Sequence, residues 1–571
     1  MKMGISKPFS LIKNNNQKLY TMLRRIISLL LLTVVLSKIP AQSFQNPILA
    51  GYYPDPSICR AGDDYYIVNS SFAYYPGLPL FHSKDLLNWK QIGYAMNRPE
   101  QLNLDGAGVS RGLFAPAISY HNGTFYIVCT EVSKLGNFVI TAKDPKGPWS
   151  NPVKLPQVNG IDPSLFFDDN GKAYIVFNSI PPNNISMHNG HRTIRMFEFD
   201  PVNLKVVGEE KLLINGGTDM ARKPVWIEGP HFIKKDGWYY LICAEGGTGY
   251  NHSEVVFRSK SPEGPFISYE KNPILTQRQL DPKRKNPITT AGHADFVEGK
   301  DGKWWGIFLA CRAYEDDYYN TGRETFMAPV VWKDGWPVFD LGGDEIKYSY
   351  PINAKIDKNK EPFNGNYHFK DEFNQSSLNT RYQFLRTVRT EWYSLSKKAG
   401  SLSLLLQGET VSGKGNPSFV SFHQPHLKGY AATALSFTPA AENEKAGILL
   451  FQNEKVHYYL CKSLKEGKEV VELYKGDSLV KAVPLNTETG RDIYFKIEAK
   501  TDQYAFYFAT QKEKWNLLLD HVDAKYLSTK SAGGFVGCVY AMYTTSNGKP
   551  SDNHALYNWF EIKNNDDVYK Q

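Results

Sequence analysis

Five short segments carry residue types that can perform acid–base chemistry. They are YPDPSI (53–58), FAPAI (114–118), IDPSLF (161–166), IEGPHF (227–232) and GHADFV (292–297). Four of them offer an ionisable residue at a matching position, namely Asp55, Asp162, Glu228 and His293, and the second offers only Ala115 and Pro116. Carboxylates crowded into one space cannot all ionise, so their pKa values separate, as a general acid and a general base require.

Each residue also has a simpler interpretation. Asp55 and Asp162 precede prolines, and Asp-Pro is common in turns. Glu228 has Arg222 and Lys223 nearby in sequence as ion-pair partners, and His293 could be a core histidine. The regular recurrence of acids at one offset favours the functional interpretation.

A fivefold repeat must position these residues. Each segment is followed by an aromatic, β-branched strand: DDYYIVNSS (63–71), GTFYIVCTE (123–131), GKAYIVFNS (171–179), GWYYLICAE (237–245) and GKWWGIFLA (302–310). The equivalent aromatic residues are 60, 48, 66 and 65 residues apart, the length of a four-stranded blade. The pattern predicts an all-β, five-bladed β-propeller over residues 42–350, in which the first strand of each blade lines the central channel.

The charge of the chain is concentrated at its N-terminus. The formal charge is +8, but residues 1–41 hold seven basic residues and no acid, which leaves +1 for the rest. This excludes a basic nucleic-acid-binding surface. Two arginines precede an eleven-residue apolar run from Ile26 to Leu36, which predicts a signal peptide within 1–41, with Met22 as a second candidate start. The run is too short for a membrane span, and we expect export, to the periplasm in preference to the medium.

The same segments resemble glycoside hydrolase family 43. The stretches YYPDPSICRAGDDYYIVNSS (52–71), GIDPSLFFDDNGKAY (160–174), WIEGPHFIKKDGWYY (226–240) and GHADFVEGKDGKWWGIFLACR (292–312) are similar to members with β-xylosidase or α-L-arabinofuranosidase activity. The resemblance implies a five-bladed propeller and an enzyme that inverts the anomeric configuration. By the same resemblance Asp55 matches the general base, Glu228 the general acid, and Asp162 the carboxylate that orients the acid and raises its pKa.

Four further residues are implied only by the resemblance. Arg323 matches an arginine that donates to substrate hydroxyls, and Phe72 and Phe114 match aromatic walls of the pocket. His293 matches a channel histidine that in relatives often lies beside water or calcium. We therefore expect no required cofactor, with calcium at His293 as a candidate metal.

The second half of the chain has a different pattern. A polar, strand-poor stretch over 351–368 predicts a linker, and short alternating strands over 369–571 predict a β-sandwich similar to the concanavalin-like module of these hydrolases. In xylosidase relatives an aromatic residue just before an FVG strand reaches the active site. Here the corresponding stretch begins at Ser531 without a ring, which favours arabinofuranose over xylose and a packing role for the sandwich.

The resulting hypothesis is an exo-acting α-L-arabinofuranosidase that acts on a neutral plant polysaccharide or oligosaccharide, such as the side chains of xyloglucan or arabinoxylan. The alternative in the same class is a β-D-xylosidase or an enzyme with both activities. A noncatalytic sugar-binding propeller is the alternative from another class, since a fold alone implies no function.

Overall fold

The computed structural model describes residues 42–357, 359–485 and 492–570, together with Met1, Tyr20 and Met22. The predicted signal peptide lies outside the described residues. The chain forms two compact units, a small one of Met1–Ser43 with Pro351–Ile356 and a large one of Phe44–Tyr350 with Asp357–Gln571. Within the described part of the chain, no helix is long and apolar enough to cross a membrane.

Five antiparallel sheets follow one another in the large unit and form the five blades of a β-propeller, as predicted. Blade 1 consists of Ser57–Ala61, Asp64–Val68, Gly77–Ser83 and Lys90–Met96. Blade 2 consists of Leu113–His121, Thr124–Glu131, Gly136–Ala142 and Val153–Lys154. Blade 3 consists of Gly160–Phe167, Ala173–Ser179, Thr193–Asp200 and Lys205–Asn215. Blade 4 consists of Glu228–Lys235, Trp238–Glu245, Ser253–Ser259 and Ile267–Ser268, with Leu275–Thr276 as an additional strand. Blade 5 consists of Ile288–Glu298, Trp304–Arg312, Glu324–Lys333 and Trp336–Phe339.

The order of strands within a blade explains the repeated sequence pattern. The first strands of neighbouring blades contact one another around the centre. The second strands are buried almost throughout, and Ala173–Ser179 is buried at every residue, because each is covered on both faces. A strand buried on both faces has a continuous apolar sequence, and this is the pattern that made the repeat visible.

In the described ranges, two further sheets of eight strands each are formed mainly by residues after the propeller. The first contains the strands His368–Asp371, Tyr393–Ser394, Leu402–Leu405, Lys428–Ser436, Ile493–Lys500, Gln503–Ala509, Asn516–Asp523 and His554–Asn564. The second contains Tyr74–Tyr75, Gln383–Leu385, Ser418–His423, Lys445–Asn453, Val456–Lys465, Lys468–Lys475, Ser478–Pro484 and Val539–Thr545. The predicted β-sandwich is therefore present.

One strand of the sandwich comes from the propeller. Tyr74–Tyr75 belongs to the loop between two strands of blade 1, yet it pairs with Gln383–Leu385 and forms the edge of the second sheet. Propeller side chains such as Tyr52 and Phe72 also share an apolar cluster with Leu449 of the sandwich. The two folds are thus joined by both backbone hydrogen bonds and a common core.

The remaining described elements are short. Gln42–Gln45 precedes the blades and Ser349–Ile352 follows them in the chain. Four 3₁₀ turns occur in the described ranges, at Pro182–Asn184, Met220–Arg222, Ala524–Leu527 and Asp567–Tyr569, and one α-helical turn is at Thr529–Ala532.

Candidate active site

A pocket of about 360 Å³ opens at the centre of the propeller and brings together all seven site residues predicted from the sequence. These are Asp55, Phe72, Phe114, Asp162, Glu228, His293 and Arg323. A larger cleft of about 790 Å³ lies elsewhere, between Trp89 and Thr380, and contains none of them. Most ligand pockets have volumes of roughly 300–1,000 Å³, so the central pocket suits a small ligand such as one or two sugar rings.

A recurrent bulge in the innermost strands positions the polar residues. In blades 2 to 5 the pairing of the first with the second strand shifts at this point. Asp162 and His293 have left-handed φ angles of 55° and 54° there, and Asp55, which lies just before the first strand of blade 1, has a φ angle of 50°. Such bulges re-aim side chains and are frequent beside active sites.

The acid of blade 4 is not at the position that the repeat predicted. Gly229, with φ 55°, takes the left-handed position, and Glu228 lies one residue earlier. In register, Glu228 corresponds to Phe114 and Ile161 of blades 2 and 3. The short motifs of the different blades can be aligned in sequence without a gap. The sequence alone therefore did not reveal that Glu228 is displaced by one residue. Glu228 still lines the pocket, because the residues at its own register position and the residues at the left-handed position both contribute to the lining.

Asp55 is held as an ion pair. Arg323 Nη1 donates to Asp55 Oδ1 at 2.8 Å, and Ser70 Oγ donates to Asp55 Oδ2 at 2.6 Å. Asp55 and Arg323 are 5% and 6% exposed, so water screens their attraction little. A carboxylate that accepts a charge-assisted hydrogen bond is suited to act in its ionised form.

The other two carboxyl groups are suited to carry a proton. Burial, together with the charge of Asp55, raises the pKa of Asp162 from 3.8 to about 7. Burial, followed by the charges of Asp162 and Asp55, raises the pKa of Glu228 well above its ordinary 4.5. Their hydrogen bonds are long: the Gly229 N–H donates to Asp162 at 3.2 Å, and Thr248 Oγ1 to Glu228 at 3.3 Å. The pocket therefore contains one carboxylate paired with an arginine and two carboxyl groups whose pKa values are raised.

His293 is uncharged near neutral pH. Burial lowers its pKa to about 4, and its ring lies against Gly229, where an added Cβ would be 2.9 Å away. Calcium prefers six to eight oxygen ligands, and the charged groups that act on His293 include both the Asp55 carboxylate and the Arg323 guanidinium. Among residues 42–357, 359–485 and 492–570 no three His, Cys, Asp or Glu side chains are arranged to hold a metal ion. Calcium beside His293 stays a prediction from the resemblance.

The sandwich contributes an aromatic ring to the pocket, contrary to the sequence-based expectation. Phe535 lies 6.0 Å from Phe72 and 5.7 Å from Phe114 between ring centroids, and the three rings line one wall. Its backbone N–H donates to Ser110 Oγ of the propeller at 3.0 Å. The sandwich is therefore more than a packing domain, and the absence of a ring at 531 does not argue against xylose.

Two glycines explain why the sequence comparison missed this ring. Gly533 and Gly534 have φ angles of 72° and 77° and turn the chain immediately before Phe535. The ring thus comes from the first residue of the FVG motif itself, four positions later than expected. Ala115 also lines the pocket, at the position that the repeat gave for blade 2, and the pocket residues that the sequence did not indicate are Ile161, Val225, Trp226, Gly247 and Thr248.

Buried carboxyl groups in different electrostatic environments, beside aromatic rings at the axis of a five-bladed propeller, are the arrangement that a glycoside hydrolase requires. Residues 44–337 match the model of glycosyl hydrolases family 43, and residues 370–563 match the beta xylosidase C-terminal concanavalin A-like domain. The chain belongs to glycosyl hydrolases family 43.

The relatives cover nearly the whole chain. A xylosidase/arabinosidase of Butyrivibrio fibrisolvens is 40% identical over 91% of this chain and 99% of its own length. The non-reducing end alpha-L-arabinofuranosidase BoGH43B of Bacteroides ovatus is 35% identical over 91% of this chain and 95% of its own. The solved structure of Bacteroides ovatus Xyloglucan PUL GH43B superposes with a TM-score of 0.82 and 35% identity, over 92% of this chain and all of that one.

Proposed function

We propose that this protein is an inverting, exo-acting α-L-arabinofuranosidase that releases terminal arabinofuranosyl residues from hemicellulose side chains or their oligosaccharides. The observation that carries the proposal is that one pocket holds an arginine-bound Asp55 together with Glu228, a carboxyl group whose pKa burial raises well above its ordinary 4.5. A pocket, as opposed to an open groove, suits removal of one terminal sugar. The names of the relatives support arabinofuranose as the sugar and xyloglucan as one source.

The proposed reaction is a single displacement at the anomeric carbon. Asp55 removes a proton from a water molecule as the water oxygen forms a bond to that carbon. Glu228 donates its proton to the glycosidic oxygen as the bond between that oxygen and the carbon breaks. In an inverting enzyme these carboxyl groups stand roughly 6.5–9.5 Å apart, which leaves room for the water. The product sugar has the opposite anomeric configuration.

The neighbouring residues adjust these two roles. Asp162 raises the pKa of Glu228, after the larger effect of burial, and so helps to keep the acid protonated. Arg323 donates a hydrogen bond to Asp55. Its planar guanidinium also has N–H groups whose geometry suits two adjacent hydroxyls of a sugar. Phe72, Phe114 and Phe535 form the apolar wall against which a sugar ring packs.

The second candidate is a β-D-xylosidase, or one enzyme with both activities. It is favoured by Phe535, because an aromatic residue from the sandwich is the feature expected of a xylosidase pocket. The name of the Butyrivibrio relative includes both activities. A noncatalytic sugar-binding propeller is not favoured, because binding alone does not require carboxyl groups with separated protonation.

Three assays test the proposal. Nitrophenyl α-L-arabinofuranoside and nitrophenyl β-D-xyloside distinguish the two sugars, and cleavage of the xyloside alone would reverse our order. Proton NMR of the first product formed reports the anomeric configuration, and retention would contradict the mechanism. Product analysis on arabinosylated xyloglucan, arabinoxylan and arabinan identifies the polymer.

We also propose that the protein is exported, to the periplasm in preference to the medium. The basic residues and apolar run within 1–41 support this, as does a near-neutral remainder suited to a neutral glycan. Cell fractionation with and without residues 1–41 tests it, and an unchanged cytoplasmic location of both forms would contradict it.

A further inference from the structure

The direction in which the leaving group departs can be read from the neighbours of Glu228. Thr248 donates to Glu228 Oε1 at 3.3 Å, and the adjacent Gly247 also lines the pocket. Val225 and Trp226 continue the pocket wall from the segment just before Glu228. If Glu228 protonates the glycosidic oxygen, the group attached to that oxygen must lie near this side of the mouth. Val225 is 44% exposed there, so the rim offers apolar surface to a ligand.

Trp226 is held in a conformation that a bulky residue rarely adopts. Its φ angle is 56°, in the left-handed region. The Trp226 N–H donates to the Gly190 carbonyl at 2.7 Å, and Asn178 Nδ2 donates to the carbonyl of Ile227, the next residue. These bonds fix the backbone on both sides. Backbone strain of this kind tends to persist at functional sites.

Arg192 covers part of the Trp226 indole. Its guanidinium carbon lies 4.8 Å from the ring centroid, within the range of a cation–π contact. Arg192 Nε and Nη2 both donate to Asn178 Oδ1, at 3.1 and 2.6 Å. The same asparagine therefore holds Arg192 and the backbone beside Trp226. The indole is only partly buried and lines the pocket, so it retains surface that a ligand can contact.

We propose that Trp226, backed by Arg192, is the platform on which the sugar ring of the leaving group rests. The ligand is a neutral sugar unit of the hemicellulose, which presents its C–H face to the indole. The inference rests on the proposed function, because it takes Glu228 as the residue that protonates the leaving oxygen. Trp226 thereby favours substrates whose leaving group is a sugar over those with a small alcohol.

The test compares two substrates that release alcohols of similar chemistry but different size. Arabinofuranosyl-xylobiose carries a sugar ring as its leaving group, and methyl α-L-arabinofuranoside carries none. Xylobiose and methyl β-D-xyloside replace this pair if the enzyme prefers xylose. The variant is Trp226→Gly, because glycine adopts φ 56° without strain and the change removes the ring with little effect on the backbone.

We expect Trp226→Gly to lower kcat/KM for the oligosaccharide about 10- to 100-fold, as truncation of a central aromatic contact usually does. Trp226→Gly also removes the indole N–H that donates to Glu228, so it should lower kcat/KM for the methyl glycoside too, and the readout is the ratio of the two kcat/KM values. That ratio should fall about tenfold or more in Trp226→Gly. Trp226→Phe loses the same N–H but keeps a ring, so it should restore most of the ratio, and Arg192→Met should lower the ratio to a smaller extent. Equal losses on both substrates, or none on the oligosaccharide, would overturn the inference.

Trp238 provides a matched control. It is a partly buried tryptophan of blade 4 with Lys260 Nζ 3.8 Å and Arg258 4.5 Å from its ring, and it does not line the pocket. Trp238→Ala should leave the ratio of the two substrates unchanged. If the wild-type protein cleaves neither pair of substrates, the proposed function is wrong. The role of Trp226 in binding the sugar is then tested on its own by calorimetric titration with the oligosaccharide. An oligosaccharide Kd that is equal for wild type and Trp226→Gly would then refute it.

Discussion

Replacement of Asp162 by asparagine should stabilise the protein at alkaline pH and have little effect at acid pH. The pKa of Asp162 is raised from 3.8 to about 7, first by burial and then by the charge of Asp55. Below pH 3.8 the carboxyl group is protonated in both the folded and the unfolded chain. Between pH 3.8 and 7 only the unfolded chain releases the proton, so the wild-type protein loses stability across this window. Asparagine cannot ionise and removes this loss.

The size of the effect follows from the pKa. A rise from 3.8 to about 7 corresponds to on the order of 4 kcal/mol of unfolding free energy between pH 4 and pH 8. The unfolding entropy is about 2.1 cal/mol/K per residue, which is roughly 1 kcal/mol/K for the roughly 520 residues of the large unit. Dividing the free-energy difference of about 4 kcal/mol by this entropy gives a shift of about 4 °C in Tm. Asparagine can still accept the 3.2 Å hydrogen bond from the Gly229 N–H, so little packing is lost.

Calorimetric Tm values at several pH values between 4 and 8 test this prediction. The difference in Tm between Asp162→Asn and the wild type should increase by about 4 °C from pH 4 to pH 8. Asp168→Asn is the control. Burial opposes ionisation of Asp168, but hydrogen bonds from Lys234 and Tyr239 outweigh it and hold its pKa below 3.8. Asp168 is therefore ionised throughout the range, and its variant should be destabilised by a constant amount. A constant difference for Asp162→Asn would refute the reasoning.

Three further predictions follow from the site and its supports. Glu228→Gln should lower kcat on oligosaccharides by about 10²-fold or more and abolish the basic limb of the pH–rate profile, whereas an unchanged limb would exclude Glu228 as the acid. Phe535→Ala should lower kcat/KM about tenfold with a nearly unchanged Tm, and an unchanged kcat/KM would show that the ring does not contact substrate. Arg312→Met should cost about 3–5 kcal/mol, because it leaves Glu324 and Asp566 buried without their cation; a scanning calorimetry Tm within 1 °C of wild type would contradict this.

The propeller could be predicted from the sequence because its signal is local and repeated. Each second strand is buried on both faces, so five similar apolar runs appear at regular intervals, with the polar segment ahead of each. The sandwich could be predicted as a class from alternating short strands. Which sheet each strand joins was not predictable, since Tyr74–Tyr75 pairs with residues about 310 positions away.

The candidate site was only partly predictable for the same reason. Asp55, Asp162 and His293 recur at one offset, so their meeting at the axis follows from the repeat. Glu228 is displaced by one residue because Gly229 takes the strained position, and a sequence alignment does not show φ angles. Phe535 meets Ser110 across 425 residues, and no local pattern encodes that contact.

The strand Tyr74–Tyr75 has a consequence for how this enzyme can be rearranged. Modular hydrolases are often recombined by exchanging whole modules at the linker between them. Here a cut near residue 360 would separate Tyr74–Tyr75 from Gln383–Leu385 and leave an unpaired strand on the sandwich, a surface prone to aggregation. It would also remove Phe535 from the catalytic pocket. The smallest transferable catalytic module is therefore the propeller and the sandwich together.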